Sequence, residues 1–186
     1  MTEARRRGDT RTRIQDVALE LFAEQGYEKT SLREIAERLD VTKAALYYHF
    51  RTKEDIVGSL FDDVMAQIDE VVDWARAHEM TVANRQEVIR RYAAVLVGRG
   101  EALIQFVQGN QSAVRDLKHS AHMFSRFQEL AVLLTDQDAP LVSQLKNSSA
   151  LAMLHIGYVG PFQLKATREQ RRAAALEVAL DMVSAS

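Results

Sequence analysis

Three helix starts crowd the stretch between Ser31 and Thr52, and they limit the possible fold more than any other feature of this chain. Ser31 is followed three residues on by Glu34, a capping box in which side chain and backbone satisfy each other at a helix N-terminus. Thr42 stands directly before Lys43-Ala44-Ala45-Leu46 and can cap a second start; Thr52 with Asp55 marks a third. A chain that restarts so often cannot run one long helix through the region. The spacing predicts a short helix from Leu32, with Leu32, Ile35, Ala36 and Leu39 inward, then a turn at Asp40-Val41-Thr42. A second short helix from Lys43 stops at Arg51. A long helix follows, with Ile56, Leu60, Phe61, Val64, Ile68, Val71, Val72 and Trp74 at helical spacing, to about His78.

Upstream, Ile14, Val17, Ala18, Leu21 and Phe22 share one helical face from Arg11, and Gly26 ends that helix before Tyr27. Two short helices joined by three or four residues and packed on a longer one make a helix-turn-helix. The turn lacks glycine, but Asp40 can take the left-handed conformation in its place. Downstream the expected helices run from Arg85 to about Val97 (start signal Asn84 with Glu87), Glu101 to Val107, Gln111 to about Leu134, and Leu141 to Tyr158. The last runs from Thr167, paired with Gln170, to about Val183. Gly98-Arg99-Gly100, Thr135–Pro140 and Gly160-Pro161 are the breaks. With only 2 prolines and 8 glycines against 47% hydrophobic residues, the chain is expected to be all-α, with about nine helices and a real core.

The absence of cysteine excludes disulfides and thiolate metal sites. No apolar stretch follows the basic residues at the N-terminus, and no apolar window is long enough to span a bilayer, so a soluble, cytoplasmic protein is expected. The net charge of -2 argues against a general nucleic-acid coat, yet the charge is uneven. Residues 1–53 hold 11 Lys/Arg and 9 Asp/Glu, and the remainder is acidic. Arg5, Arg6, Arg7, Arg11 and Arg13 crowd one end, either as a solvated tail or as a surface for phosphate.

The second short helix reads Lys43-Ala44-Ala45-Leu46-Tyr47-Tyr48-His49-Phe50. A helix cannot bury four consecutive rings. Leu46 and Phe50, four apart, take the core side, which leaves Tyr47 and Tyr48 outward or at its edge. Either they cover the core, or they meet a partner. In a helix-turn-helix this helix enters the major groove. Lys43 can then reach guanine acceptors or phosphate, the phenols can meet sugar, thymine methyl or phosphate, and small Ala44 lets the backbone come close. Thr42, Lys53 and the region of Ser31 and Arg33 can hold phosphates on the flanks.

The set Ser31-Leu32-Arg33-Glu34-Ile35-Ala36, Val41 through Phe50, and Lys53-Glu54 resembles the DNA-binding domain of the tetracycline-repressor (TetR) family. Ala18-Leu19-Glu20-Leu21-Phe22, Gly26-Tyr27 and Thr30 match it too. The resemblance covers about residues 10–60, with Asp40 where the family often has glycine. It implies a homodimeric transcriptional repressor with a three-helix DNA-binding head, residues 1–53. A larger helical body, residues 54–186, would bind a small molecule and dimerise through its last two helices. Carried over, Thr42, Lys43, Ala44, Tyr47, Tyr48 and His49 would face the groove or its backbone, Lys53 the phosphate, and Ser31 and Arg33 the flank. The N-terminal arginines would reach an adjacent groove.

For the body only pattern is available. A helix from Leu141 to Tyr158 that is apolar nearly all round, and a last-helix stripe of Ala173, Leu176, Ala179, Leu180 and Val183, suit either plain core packing or a four-helix dimer interface. Polar groups in apolar runs suit either a packed core or a pocket for an unknown small-molecule effector; the pocket candidates are Phe106, His122, Met123, Phe127, His155 and Tyr158. His119 and His122 share a face, but no third ligand joins them, so no metal or other cofactor is expected. No catalytic triad, phosphate-binding glycine loop or carboxylate pair stands out, so an enzyme is not expected. The alternatives to an effector-released repressor are a ligand-independent regulator and a protein-interaction module on the same scaffold.

Overall fold

The computed structural model describes residues 3–110, 119–159 and 164–184 of the chain. Among the described residues there are nine helices and no strand. They are α1 (Glu3–Gln25), α2 (Leu32–Arg38), α3 (Lys43–His49), α4 (Lys53–Arg76), α5 (Val82–Val95), α6 (Arg99–Gly109), α7 (His119–Leu133), α8 (Leu141–Val159) and α9 (Arg168–Ser184). None of them is long and apolar enough to cross a membrane. Val114, Leu117 and the Gly160-Pro161 stop lie outside the described residues, as do the side chains of Arg5, Arg6, Arg7 and His119.

The contacts divide the chain into two compact units, Met1–Asp63 with Gln105–His119, and Val64–Ile104 with Ser120–Ser186. The boundary expected after residue 53 falls inside the first unit, which takes α4 as far as Asp63. In that unit Ile14, Ala18, Leu21 and Phe22 of α1 form one buried face. Leu32, Ile35 and Ala36 of α2, Leu46, Phe50, and Ile56, Leu60 and Phe61 of α4 complete the core. α1 begins at Glu3, earlier than the apolar pattern at Arg11 predicts. The first two turns carry no apolar residue except Ala4, so periodicity could not find them. Gly26, at φ +90°, ends α1.

The predicted caps form as hydrogen bonds. Ser31 Oγ accepts from the Glu34 N–H while the Glu34 carboxylate accepts from the Ser31 N–H at 2.7 Å. Thr52 and Asp55 exchange bonds of 3.0 and 2.9 Å. After α2 the Val41 N–H donates to Ala36 O and the Asp40 N–H to Glu37 O, with Asp40 at φ +54°. That is a Schellman stop with aspartate in the left-handed position that glycine usually fills. One buried polar tie was not legible in the apolar pattern: the Gln15 amide on α1 donates to Ser59 Oγ and Asp63 Oδ2 of α4, both at 2.8 Å.

In the second unit the buried face of α5 packs with α9 and α8. α5 starts at Val82, capped by Thr81 and not by Asn84. Thr81 Oγ1 accepts the Asn84 N–H, and the Asn84 amide turns back to Glu79 O at 2.8 Å. α6 starts at Arg99, because only Gly98 of the expected break has positive φ. Gly100 is helical, and a Cβ there would collide with the Val95 carbonyl. Arg126 of α7 pairs with Asp69 of α4 at 2.6 Å and with Glu129 at 2.9 Å, and Arg76 also reaches Glu129.

The last two helices divide their apolar residues between core and surface. α8 buries Asn147, Ala150, Leu151 and Leu154, whereas Leu141, Val142 and Leu145 are 57–69% exposed. The α9 stripe is only partly in the core. Ala179 and Val183 join Ala175 in the chain's own core, while Ala173 is exposed. The i, i+4, i+8 row won over the i, i+3 row because Gly157 lets α9 approach α8 at Ala175; a Cβ on Gly157 would lie 2.8 Å from the Ala175 Cβ.

Candidate nucleic-acid interface

α3 owes its position to two buried residues, one at its middle and one at its C-cap. Leu46 is fully buried and Phe50, its C-cap, nearly so, which fixes the rotation of a seven-residue helix. That rotation leaves Thr42, Lys43, Ala44, Ala45, Tyr47 and Tyr48 exposed and His49 half-buried. Tyr48 is 68% and Tyr47 41% exposed, so the tyrosines are not core cover. The Lys43 ammonium lies 5.4 Å from the Tyr47 ring centre, and the His49 ring stands edge-on to Tyr48 at 5.3 Å. The exposed strip therefore offers an ammonium, two phenols and a small-residue shelf, the chemistry that meets base edges and phosphate.

The flanking residues have other duties as well. Arg33 is exposed and paired with Glu37 at 2.7 Å. The Ser31 hydroxyl is held in its capping box, donating to Glu34 at 2.7 Å; this bond is the leading cause that lowers the Glu34 pKa. Lys53 donates from Nζ to Tyr27 O at 2.6 Å and lies 4.3 Å from the centre of the Tyr27 ring. It thus ties the start of α4 to the turn after α1. The Tyr27 hydroxyl donates to Glu54 at 2.7 Å, and burial followed by this carboxylate pushes the phenol's pKa up. One cation that the resemblance left unplaced is now placed: the Arg11 guanidinium lies 5.7 Å from the centre of the Phe50 ring, beside the end of α3.

The six pocket candidates do not form one cluster. Phe106 belongs to the first unit, where its ring packs 5.5 Å from both Phe22 and Tyr27. His122 is exposed and Met123 half-buried. Tyr158 is half-buried with the Arg172 guanidinium 5.7 Å from its ring centre, and burial raises its pKa. Phe127 and His155 do meet, edge to face at 5.7 Å. Their third member was missed in sequence: Tyr92, fully buried on α5, whose hydroxyl lies 2.8 Å from His155 Nε2. Burial lowers the His155 pKa and raises that of Tyr92, so both are neutral, and Tyr92 donates to the imidazole. The signal was available, since Val88, Ile89, Tyr92 and Val95 share one helical face. Among the described residues no group of three His, Asp or Glu could hold a metal.

The family model for bacterial regulatory proteins of the tetR family matches residues 14–60, the span that builds this surface. Over those residues the chain is similar to the tetR family. Among curated relatives, the HTH-type transcriptional regulator AcrR of Shigella flexneri is 43% identical over 63 residues, 34% of this chain and 29% of the relative. The fatty acid metabolism regulator protein of Bacillus subtilis (strain 168) is 33% identical over 86 residues, 46% and 44% of the two chains. The matched segments thus span under half the length of these relatives. The fold likeness extends further. A transcriptional regulator from Aquifex aeolicus VF5 superposes with a TM-score of 0.67 at 20% identity, over 90% of this chain and 96% of that one. The ketosteroid transcriptional regulator KstR2 of Mycobacterium tuberculosis gives 0.61 at 18% identity, over 97% and 95%. Beyond residue 60 the likeness to these two structures is one of fold alone.

Proposed function

We propose that this protein is a cytoplasmic, homodimeric transcriptional regulator. It places α3 in the major groove of operator DNA, represses, and is released by a small molecule bound in the second unit. The exposure of Lys43, Tyr47 and Tyr48 on a helix fixed by buried Leu46 and Phe50 carries this reading. Thr42, Ala44 and His49 complete the groove-facing strip, and Arg33 and Ser31 flank it. Arg33 exchanges Glu37 for phosphate on binding, and Lys53 keeps Tyr27 O while turning a remaining N–H outward.

Dimerisation follows from the exposed apolar residues Leu141, Val142 and Leu145 of α8 and Val178 of α9. Half-sites one turn of duplex apart, about 34–36 Å, call for a two-fold pair of α3 helices, and a second copy covering these residues would supply it. An effector releases DNA only by the difference in its affinity for the DNA-spaced and other states. Phe127 and His155 with Tyr92 are the aromatic and polar groups nearest to a recognition cluster in that unit. Mobility-shift titration of duplex DNA tests the reading. A retarded complex that weakens steeply with salt is expected. A protein indifferent to every duplex at low salt contradicts it.

A further inference from the structure

Gln15 is the most buried polar residue described in the first unit. Only 1% of it is exposed, and it stands on the buried face of α1 in a row with Ala18 and Phe22. Its Nε2 donates to Ser59 Oγ and to Asp63 Oδ2, both at 2.8 Å, and the Ser59 hydroxyl donates in turn to Ile56 O at 2.8 Å. Ser59 is buried and Asp63 half-buried, one turn apart on the side of α4 that carries Ile56. Apolar faces slide past one another at little cost, because burial has no direction. An amide held by two fixed acceptors does not, since a shift of about an ångström stretches both bonds beyond hydrogen-bond range. The core of this unit also seats Leu46 and Phe50, the residues that hold α3. One turn before Gln15, the Arg11 guanidinium lies 5.7 Å from the centre of the Phe50 ring. One face of α1 thus meets both α4 and the C-cap of α3.

We infer that Gln15 is a positioning residue for the groove-facing strip: its bonds to Ser59 and Asp63 hold α1 in one register along α4, and that register sets where α3 stands. Buried polar ties of this kind select one packing among several of similar energy. The stability at stake is small. Asp63 is half-buried and can turn to water, Ser59 keeps Ile56 O, and methionine at position 15 fills much the same space with no polar group to satisfy. Removing the tie therefore spares the fold and displaces Lys43, Tyr47 and Tyr48. The consequence for DNA rests on the proposal that α3 enters the groove; the placement of α3 does not.

The chain has no cysteine, so Glu20→Cys on α1 with Ala45→Cys on α3, both exposed, takes two nitroxide labels at known places. Pulsed electron–electron double resonance on the full chain should give one narrow distance in that background. Adding Gln15→Met should shift or widen it, with Tm moved by a few degrees at most. Asp63→Ala should do the same and add little on top of Gln15→Met. Asp63→Asn keeps a carbonyl acceptor and should restore the narrow distance. In mobility-shift titrations of unlabelled chain, Gln15→Met should lower the preference for a selected duplex over random duplex by about tenfold, the size of one lost base contact. Affinity for random duplex follows charge and should stay level. A distance unchanged in both Gln15→Met and Asp63→Ala overturns the inference. So does an undiminished preference, an equal loss of selected and random binding, or a fall in Tm that unfolds both variants. The distance is measured without DNA, so a wild type that binds no duplex would refute the groove-binding proposal alone.

Discussion

Protonating His155 should loosen the second unit, and the size of the effect follows from the structure. Its Nε2 accepts the Tyr92 hydroxyl proton at 2.8 Å, which requires a neutral ring. Burial holds its folded-state pKa below the ordinary 6.5, while the unfolded chain returns it to that value. As the pH falls past about 6.5, the unfolded state takes the proton first. The stability contributed by neutral His155 is therefore whole above that point and lost as the pH falls toward the folded-state pKa. One proton limits the slope to about 1.4 kcal/mol per pH unit. His155→Gln keeps an acceptor for Tyr92 but cannot titrate. Urea unfolding from about pH 5 to about pH 7.5 should give the wild type a steeper fall than His155→Gln. Equal slopes would show that His155 is not buried neutral against Tyr92.

Other substitutions separate packing from recognition. Leu46→Ala empties a fully buried site and should cost about 2–5 kcal/mol of stability in denaturant unfolding, with DNA binding lost through unfolding of α3. Tyr48→Ala, at an exposed site, should change stability by under about 0.5 kcal/mol yet weaken specific DNA binding by about 1–3 kcal/mol in a mobility-shift titration. Lys43→Ala should also lower the slope of log affinity against log salt by about one. Gly157→Ala would press on Ala175 and on Arg171 O, 3.2 Å from the new Cβ, and should lower stability by about 1–3 kcal/mol while sparing the isolated interaction of α3 with DNA.

The head was legible because its signals are local. Ser31 with Glu34, Thr52 with Asp55 and Thr167 with Gln170 each form the reciprocal bonds that their spacing implies. Asp40 takes the left-handed turn for the reason its side-chain chemistry suggests. What failed needed distant partners. Phe106 looks like any apolar residue of α6, and only the fold shows it beside Phe22 and Tyr27. Gln15 reads as a surface residue until Ser59 and Asp63 arrive from α4. Leu141, Val142 and Leu145 fit core or interface equally in sequence, because burial by the same chain and burial by a partner leave the same apolar pattern. The start of α5 was misplaced because Thr81 and Asn84 are both good caps, and only the hydrogen bonds choose between them.

The central claim is that the exposed strip of α3 reads duplex DNA from a two-fold dimer. In vitro selection from random duplexes, followed by hydroxyl-radical footprinting of the enriched site, tests it most directly. The expected result is an inverted repeat protected at two half-sites about 10–10.5 base pairs apart centre to centre, or a multiple of that, with protection lost in Tyr48→Ala. No enrichment at low salt, or a footprint unchanged in Tyr48→Ala, would contradict it.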